Sequence, residues 1–514
     1  AVTGISSAWI DSVPVIFIAG QAFFNQTIKK TKKRQIGVQE INIIDIVRPI
    51  TKFSQMITDP NSINFYLEKA YHISKSGRPG PVFLDIPADM QNAQIDEKKV
   101  VKYSYVESKT FFPIEKKINT IVKKIKQSKR PLIHLGHGVK LSKSQNILKS
   151  FFSKCKIPFV VTWNADDVMS SYHKMYFGKP GQFGERGSNF IVQNCDFYLS
   201  IGTRLPYMVT GYNPSDFASK AKFKAMVDID KNELKKNDIK LNLKVESDAN
   251  YFLEKLLYKL KKYNSDSDWI NYCSKVRKKY PIIINKMINE KKYVNSYFFV
   301  DELSKLTKKN DSIITDMGFS FTTTHQTLRV KGNQKFFTNS GHAPMGWGLP
   351  AAIGSYYAKK KTSSNIICLS GEGGFQMNIQ ELATIMHNKI PMKIFIFNNG
   401  GYLTIKQTQI LGFNGRIMGS DKNSGLSFPN YKSIADAHNM LYKKITNHKN
   451  LKNEISKVLN LKKAVICELI MSPNEEQIPK AVNRRDANGK SMPAKLEDMY
   501  PFLSKDELSA SNLD

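Results

Sequence analysis

Long hydrophobic runs are missing from this chain of 514 residues, although 41% of its residues are hydrophobic. No window approaches the roughly 18 consecutive apolar residues that a membrane-spanning helix requires. No basic start leads into an apolar secretory segment either. The sequence therefore predicts a cytoplasmic protein with no membrane partner.

Cysteine is also scarce. The chain has five cysteines, none of them in a CxxC pair: Cys155, Cys195, Cys273, Cys368 and Cys467. An odd, dispersed set in a large chain argues against a disulfide framework and against a zinc site. We expect these residues to be ordinary core thiols.

Acidic residues are few beside basic ones: 44 aspartates and glutamates stand against 77 lysines and arginines, which gives a formal net charge of +33. Such a balance can indicate nucleic-acid binding. Only 11 of the basic residues are arginines, however, and the lysines are spread along the chain with brief clusters at residues 29–34 and 359–361. A solvated basic surface is therefore favoured over a nucleic-acid site, and a patch for an acidic partner stays open as the alternative.

Apolar segments of strand type alternate with helical segments along the chain, which predicts an α/β fold. Three units are expected, at residues 1–105, 112–262 and 295–472. Residues 473–514 are expected to form an irregular arm packed on the body.

One block carries most of the chemistry. Residues 366–369 form a short apolar run of buried-strand type that ends at a glycine, so that Glu372 follows the carboxyl end of a strand. A helical spacing of apolar residues comes next, at 378–388, and residues 392–397 are typical of another buried strand. The block therefore predicts a βαβ unit.

In a parallel sheet both strands end at the same edge, so Glu372 and Asn399, 27 positions apart, are expected to meet over one crevice. A carboxylate, an amide oxygen and the carbonyl of Gly401 supply three hard oxygen ligands. Magnesium suits such a set because it completes its octahedron with water and phosphate oxygens. The sequence thus predicts a Mg²⁺ site at Glu372, Asn399 and Gly401, placed to hold a diphosphate.

The same block, GEGGFQ at 371–376 with NNGGY at 398–402, resembles the signature of thiamine-diphosphate (ThDP) enzymes, in which GDG is followed at a fixed interval by NN. Glu372 stands where that family usually has aspartate. The segment NSGHAPMGWGLPAAIG at 339–354 is similar to the loop and helix before this motif in acetolactate synthase. Likewise, DSVPV, RPITK and SGRPGPVFLDIP, beginning at residues 11, 48 and 76, resemble its first domain.

This resemblance covers nearly the whole chain and implies three doubly wound parallel-sheet domains, named PYR, middle and PP. In that family the PP domain of one chain faces the PYR domain of another, so a homodimer or homotetramer is expected. The resemblance implies ThDP and Mg²⁺ as cofactors. It assigns cofactor contacts to ten residues: Gly318, His325, Met345, Gly371, Gly373, Gly374, Asn399, Gly401, Tyr402 and Ile405. Gly318 to His325 is expected to be a loop that meets the diphosphate, and Met345 is the wedge that bends the cofactor.

The family's catalytic glutamate lies in the PYR domain, before the segment that matches Ala1. The start at alanine predicts an amino-terminal truncation, and no catalytic residue is assigned. Gln39 and Lys52 match positions near the family's substrate channel. As written, the chain is expected to bind the cofactor poorly and to turn over little.

The implied activity is decarboxylation of a 2-oxo acid, followed by ligation to a second carbonyl compound. Two alternatives stay open: a divergent lyase that releases an aldehyde, and a non-catalytic ThDP-fold protein with an acidic partner. Where acetolactate synthase has an acceptor-handling arginine, this chain has Pro206-Tyr207-Met208, which puts acetolactate as the product in doubt. FAD is possible but not favoured, because the glycines of 136–138 and 178–187 and the charged residues Arg204, Asp230 and Asp248 are typical of any doubly wound domain.

Overall fold

The computed structural model describes residues 1–28, 31–105, 112–359, 364–485, 491–492 and 495–513. Parts of the expected lysine clusters (29–30, 360–361) and of the expected arm (486–490, 493–494, 514) lie outside these residues. The chain divides into two compact units, Ala1–Phe112 with Asn339–Pro344, and Pro113–Thr338 with Met345–Asp514.

The first unit is built around a parallel sheet with strand order β1-β3-β2. Its strands are β1 (Ile16–Gln21), β2 (Phe53–Met56) and β3 (Val82–Pro87), and its helices are α1 (Val2–Ile10), α2 (Ile43–Val47), α3 (Ile63–Lys75) and α4 (Ala88–Asn92). Strand β3 is apolar on both faces because Val82 and Leu84 enter one hydrophobic cluster while Phe83 enters another. This is the pattern of a strand covered on both sides.

The second unit contains two larger parallel sheets, and the first has strand order β6-β4-β7-β8-β9. The strands of this region are β4 (Pro131–Leu135), β5 (Cys155–Lys156), β6 (Phe159–Val161), β7 (Phe197–Ile201), β8 (Phe223–Asp228), β9 (Leu243–Glu246) and β10 (Tyr263–Asn264). The helices are α5 (Glu115–Gln127), α6 (Gly138–Leu141), α7 (Gln145–Lys154), α8 (Arg186–Asn194), α9 (Tyr207–Thr210), α10 (Lys231–Leu234), α11 (Ala249–Leu260), α12 (Ser267–Lys279) and α13 (Asn285–Ile288).

The second sheet of this unit has strand order β12-β11-β13-β14-β16-β15 and is parallel throughout. Its strands are β11 (Ser312–Thr315), β12 (Lys335–Phe337), β13 (Ile366–Gly371), β14 (Lys393–Asn398), β15 (Leu441–Ile445) and β16 (Val465–Ile470). The helices are α14 (Ser296–Leu306), α15 (Phe319–Thr327), α16 (Gly348–Ala358), α17 (Glu372–Met377), α18 (Glu381–His387), α19 (Leu403–Gly412), α20 (Tyr431–Ala437) and α21 (Leu451–Asn460).

Alternate residues of β13 bury opposite faces of this sheet. Ile367 and Leu369 enter one core cluster, and Ile366 and Cys368 enter the other. The predicted doubly wound α/β fold is confirmed by these parallel sheets and their interleaved helices. The division into three domains at the predicted boundaries stays a prediction.

The strand order of this sheet indicates where a ligand would bind. From β11 the chain moves outward to β12 and then returns to β13 on the other side of β11. The carboxyl ends of β11 and β13 therefore flank a topological switch point, where open α/β sheets bind ligands.

The carboxy-terminal arm carries an antiparallel pair, β17 (Arg484–Arg485) with β18 (Ser491–Met492), and helix α22 (Lys505–Ala510). It packs on helices next to the first sheet of the second unit. Asn189 donates a hydrogen bond to the carbonyl of Leu496 at 2.8 Å, and Tyr272 donates one to the carbonyl of Ser511 at 2.9 Å. The arm is thus more regular than expected.

The five cysteines are buried and free, as expected of core thiols. In the part of the chain that the structure describes, every helix is too short or too polar to cross a membrane.

Candidate functional site

Glu372 follows the carboxyl end of β13 and opens helix α17. Strands β13 and β14 pair so that Gly371 lies opposite Phe397, which brings both strand ends to one edge. There the Glu372 carboxylate accepts hydrogen bonds from two backbone amides, Asn399 N at 3.1 Å and Gly400 N at 2.8 Å. The two segments of the signature therefore meet directly.

The electrostatic state of Glu372 follows from its burial. The residue is 2% exposed, and this burial raises the pKa of its carboxyl to about 7. The amides of Asn399, Gly400 and Gly401 act against this shift, and the nearby Glu468 adds to it. A cation at this carboxylate would stabilise its charged form.

Asn399 supplies the test of whether a cation fits. Its side chain is 7% exposed, and its Oδ1 is buried with no hydrogen-bond partner among the described residues. Its neighbour Asn398 instead donates to Glu468 at 2.5 Å. An orphaned amide oxygen beside a buried carboxylate is the hard-oxygen set that Mg²⁺ prefers, so the residues present fit this ion.

Within the described residues, no group of three or more His, Cys, Asp or Glu side chains could hold a metal ion. The site at Glu372 offers one carboxylate and one amide oxygen. It therefore suits an ion that completes its shell with water and phosphate, as Mg²⁺ does.

Met345 and Tyr402 close over the first turn of α17. A Cβ atom on Gly373 would lie 2.6 Å from Met345 Cε and 2.2 Å from Tyr402 Cε1. Only a glycine lets both side chains approach this closely. Met345 remains 40% exposed, and Ile405, one turn into α19, is 50% exposed. Met345 and Tyr402 thus meet at the residue that follows Glu372.

A second loop fixes the backbone of Gly401 and Tyr402. Tyr402 N donates to the carbonyl of Ser420 at 2.8 Å, and a Cβ on Gly401 would lie 2.2 Å from that oxygen. Lys406 also forms an ion pair with Asp421 at 3.1 Å. These contacts hold the segment that follows β14 in place.

Asp316 was missed by the sequence analysis. It follows β11, is fully buried, and accepts hydrogen bonds from the amides of Met317 at 2.7 Å, Gly346 at 3.0 Å and Gly348 at 3.1 Å. Burial raises the pKa of its carboxyl. The signal that could have identified it is its place at the end of the strand that flanks the switch point.

The segment from Gly318 to His325 was expected to be a loop, and this is wrong: it forms helix α15, with Gly318 as N-cap at φ +98°. His325 is fully buried, and its ring stacks on Trp163 at 5.0 Å and meets Phe321 edge-on at 4.6 Å. Burial holds its pKa well below the usual value. Its ring is thus packed among aromatics, and a cofactor contact at Gly318 or His325 stays a prediction.

The two predicted substrate residues belong to the first unit. Gln39 is exposed and has a positive φ of 63°. Lys52 donates to the carbonyls of Ile73 and Ser76, each at 2.5 Å, and so caps the carboxyl end of α3. Burial lowers the pKa of Lys52. Their contact with substrate stays a prediction.

The glycines and charged residues that were considered for an FAD site make contacts within the second unit. Gly138 N donates to the carbonyl of Gly202 at 2.8 Å, which joins the loops after β4 and β7. Asp230 and Asp248 cap α10 and α11. These glycines and aspartates thus hold loops and helix ends of the α/β unit together.

Two family profiles match the chain. The one described as "Thiamine pyrophosphate enzyme, C-terminal TPP binding domain" covers residues 316–469, and "Thiamine pyrophosphate enzyme, central domain" covers residues 118–256. The first begins at Asp316 and contains Glu372 and Asn399.

Several curated proteins are similar over most of the chain. The acetolactate synthase large subunit of Cyanidium caldarium is 31% identical over 493 residues, which cover 93% of this chain and 80% of that protein. The one from Lactococcus lactis is 28% identical over 485 residues, 93% of this chain and 80% of its own length. The probable acetolactate synthase large subunit of Methanocaldococcus jannaschii is 30% identical over 491 residues, which cover 92% of this chain and 79% of that protein.

Proposed function

Since the chain belongs to the family of thiamine-diphosphate-dependent enzymes, we propose that it decarboxylates a 2-oxo acid and ligates the remaining fragment to a second carbonyl compound. ThDP and Mg²⁺ are the proposed cofactors. The observation that carries this proposal is the buried Glu372 carboxylate, which accepts from the amides of Asn399 and Gly400. Beside it lies Asn399 Oδ1, which has no hydrogen-bond partner in the part of the chain that the structure describes.

Each residue of the site has a distinct task in this proposal. Glu372, Asn399 Oδ1 and the carbonyl of Gly401 would hold Mg²⁺, which binds the diphosphate. Met345 supports the bend of the cofactor, and with Tyr402 it keeps water from the reacting end. When bound, ThDP supplies the electron sink that decarboxylation of a 2-oxo acid requires.

Calorimetry of the full chain with Mg²⁺ and ThDP tests the metal site. Glu372→Gln should abolish Mg²⁺-dependent ThDP binding because it removes the charged ligand. Glu381→Gln, the same change in helix α18, should leave binding intact. Equal loss in both variants, or no loss in either, would contradict the assignment.

Glu372→Asp tests the length of the ligand. Aspartate is the usual family residue, and its side chain is one methylene shorter, whereas Mg²⁺ holds its ligands at about 2.0–2.1 Å. We propose that the chain retains Mg²⁺ with glutamate. If the unaltered chain binds no Mg²⁺ and ThDP while Glu372→Asp restores binding, this proposal is wrong.

One observation favours release of an aldehyde as the second candidate activity. Acetolactate synthase has an acceptor-handling arginine in the segment where this chain has Pro206, Tyr207 and Met208. Tyr207 is the first residue of the short helix α9, and its side chain is exposed. Incubation with pyruvate discriminates the two activities. Because the chain is expected to turn over little, the incubation has to be long. Acetolactate supports ligation, acetaldehyde supports the lyase, and ThDP binding without carbon dioxide release even after a long incubation contradicts both.

We also propose that the chain assembles as a homodimer or homotetramer. Helix α19 and the residue after it expose large apolar side chains: Ile405, Ile410, Leu411 and Phe413. Exposed apolar side chains concentrated on one segment indicate a covered surface in the assembled protein. Light scattering of the purified protein measures this directly.

A further inference from the structure

Hydrogen bonds hold the loop that carries Met345 at the following residue, Gly346. Gly346 N donates to Asp316 Oδ1 at 3.0 Å, and the carbonyl of Gly346 accepts from Asn378 Nδ2 at 2.7 Å. Asp316 follows strand β11 and Asn378 follows helix α17. Two side chains from different connections thus fix both backbone polar groups of one residue.

The backbone at Gly346 has little freedom to move. Its φ is +88°, and a Cβ there would lie 2.7 Å from Met377 Cβ and 2.9 Å from Asn378 Nδ2. A side chain at this position would meet these atoms, so the loop packs closely on the end of α17. The position of Met345 is therefore set by its neighbours and not by its own side chain, which is partly exposed.

Asp316 also ties this loop to the segment that begins at Glu372. Its second oxygen accepts from Gly348 N at 3.1 Å, and a Cβ on Gly374 would lie 2.6 Å from Asp316 Cγ. Hydrogen bonds to a buried carboxylate are stronger than those between neutral groups. The loop of Met345 and the first turn of α17 consequently keep a fixed distance.

We propose that Asp316 and Asn378 are positioning residues that hold Met345 at a set height over Gly373, and thereby set the bend of bound ThDP without anchoring its diphosphate. This inference rests on the proposed function. It separates the chain's residues into those that grip the diphosphate through Mg²⁺ and those that shape the rest of the cofactor.

Inorganic pyrophosphate distinguishes the two tasks because it has the anchored part of ThDP and lacks the bent part. In calorimetry of the full chain with Mg²⁺, Asp316→Asn should raise the Kd for ThDP about tenfold, the effect of one lost hydrogen bond to a charged group. The Kd for pyrophosphate should not change. Asparagine has nearly the shape of aspartate, so the contact with Gly374 is kept while one acceptor is lost. Asn378→Ala should show the same pattern.

Asp311→Asn is the matched control. Asp311 is fully buried just before the same strand, and its carboxylate accepts from Lys308 N at 2.8 Å and Asn365 N at 2.9 Å. Its replacement should lower thermal stability as Asp316→Asn does, yet leave the affinities for ThDP and pyrophosphate unchanged. Equal losses of ThDP affinity in both variants would make Asp316 merely structural and overturn the proposal.

A double-mutant cycle with Met345→Ala tests the route of the effect. If Asp316 acts through Met345, then adding Asp316→Asn to Met345→Ala gives no further loss of ThDP affinity. Additive losses, an unchanged ThDP affinity in the single variants, or a parallel loss of pyrophosphate affinity would each overturn the inference. If the unaltered chain binds neither ligand with Mg²⁺, the proposed function fails, and this inference fails with it. If the unaltered chain binds ThDP and the variants bind it equally well, the inference is overturned while the proposed function stands.

Discussion

The amide of Gly400 donates a hydrogen bond to Glu372 Oε1 at 2.8 Å, although the two residues are 28 positions apart in the chain. The contact joins the end of β14 to the start of α17 and keeps the carboxylate in a buried position. It defines the edge of the sheet at which the cofactor is proposed to bind.

Gly373 is expected to tolerate no side chain. A Cβ at this position would lie 2.2 Å from Tyr402 Cε1 and 2.6 Å from Met345 Cε, so Gly373→Ala should displace both. We expect a loss of about 1–3 kcal/mol in the free energy of unfolding, measured by denaturant titration, together with weaker ThDP binding. Gly354→Ala is the control, since nothing lies within 4 Å of its Cβ and it sits in helix α16, where alanine should be neutral or stabilising. An undisturbed Gly373→Ala would contradict the close approach.

Glu475 should make stability depend on pH. Its carboxyl is buried, one of its oxygens accepts from the amide and hydroxyl of Ser296, and burial raises its pKa to about 7 from a usual value of 4.5. Because the folded state favours the protonated form, this contribution is complete below pH 4.5 and is lost as the pH rises to about 7. The loss is on the order of 3 kcal/mol.

Glu475→Gln should remove that loss. Denaturant unfolding of this variant at pH 4.5 and pH 8 is expected to show a smaller difference in free energy than the unaltered chain. Glu476→Gln changes the neighbouring exposed carboxylate, which pairs with Lys286 at 2.9 Å, and should leave the pH dependence unaltered. Identical pH profiles in all three proteins would rule out the role of Glu475.

Lys179 and Asp166 form an ion pair at 2.9 Å in which both side chains are fully buried. Lys179→Met leaves the Asp166 carboxylate without its cation, so it should reduce the free energy of unfolding by about 3–5 kcal/mol. The exposed pair of Lys432 and Asp436, at 2.7 Å, provides the comparison. Lys432→Met should change stability by less than about 1 kcal/mol. A similar small effect for both substitutions would contradict the burial of the first pair.

The exposed apolar side chains of α19 should matter for assembly. Leu411→Lys would place a charge on the surface that we propose a second copy covers, and we expect the mass measured by light scattering to fall towards that of a monomer. Tyr258→Lys alters an exposed apolar residue on α11 and should leave the mass unchanged. A mass unaffected by Leu411→Lys would place the interface elsewhere.

The strands on either side of the signature were predictable because their patterns are local. Both β13 and β14 are short apolar runs, and the interval between them has helical spacing, so the βαβ unit needed no distant contact to be recognised. Glu372, Asn399 and Gly401 followed from the rule that parallel strands end at one edge. Met345 and Tyr402 came from the family resemblance, and the structure brings both to Gly373.

Other residues could not be placed in this way. The segment after Gly318 was expected from the resemblance to be a loop, yet it forms α15, which is buried along its whole length. Its threonines and phenylalanines give no clear amphipathic pattern. Helices that are covered on all sides lose the one-sided pattern on which sequence prediction depends. His325 was assigned from the family resemblance, whereas its surroundings are aromatic rings.

The sequence by itself determined the alternation of strands and helices, the family, and the placement of the proposed oxygen ligands at two strand ends, because each depends on spacing along the chain. Only the tertiary structure decided that Asp316 and Asn378 hold Gly346 from two sides, and that Lys52 caps a helix. The physical reason is that a buried hydrogen bond joins residues through the packing of several elements. The sequence places each of these residues on its own element, but the fold alone sets which atoms come within 3 Å of each other.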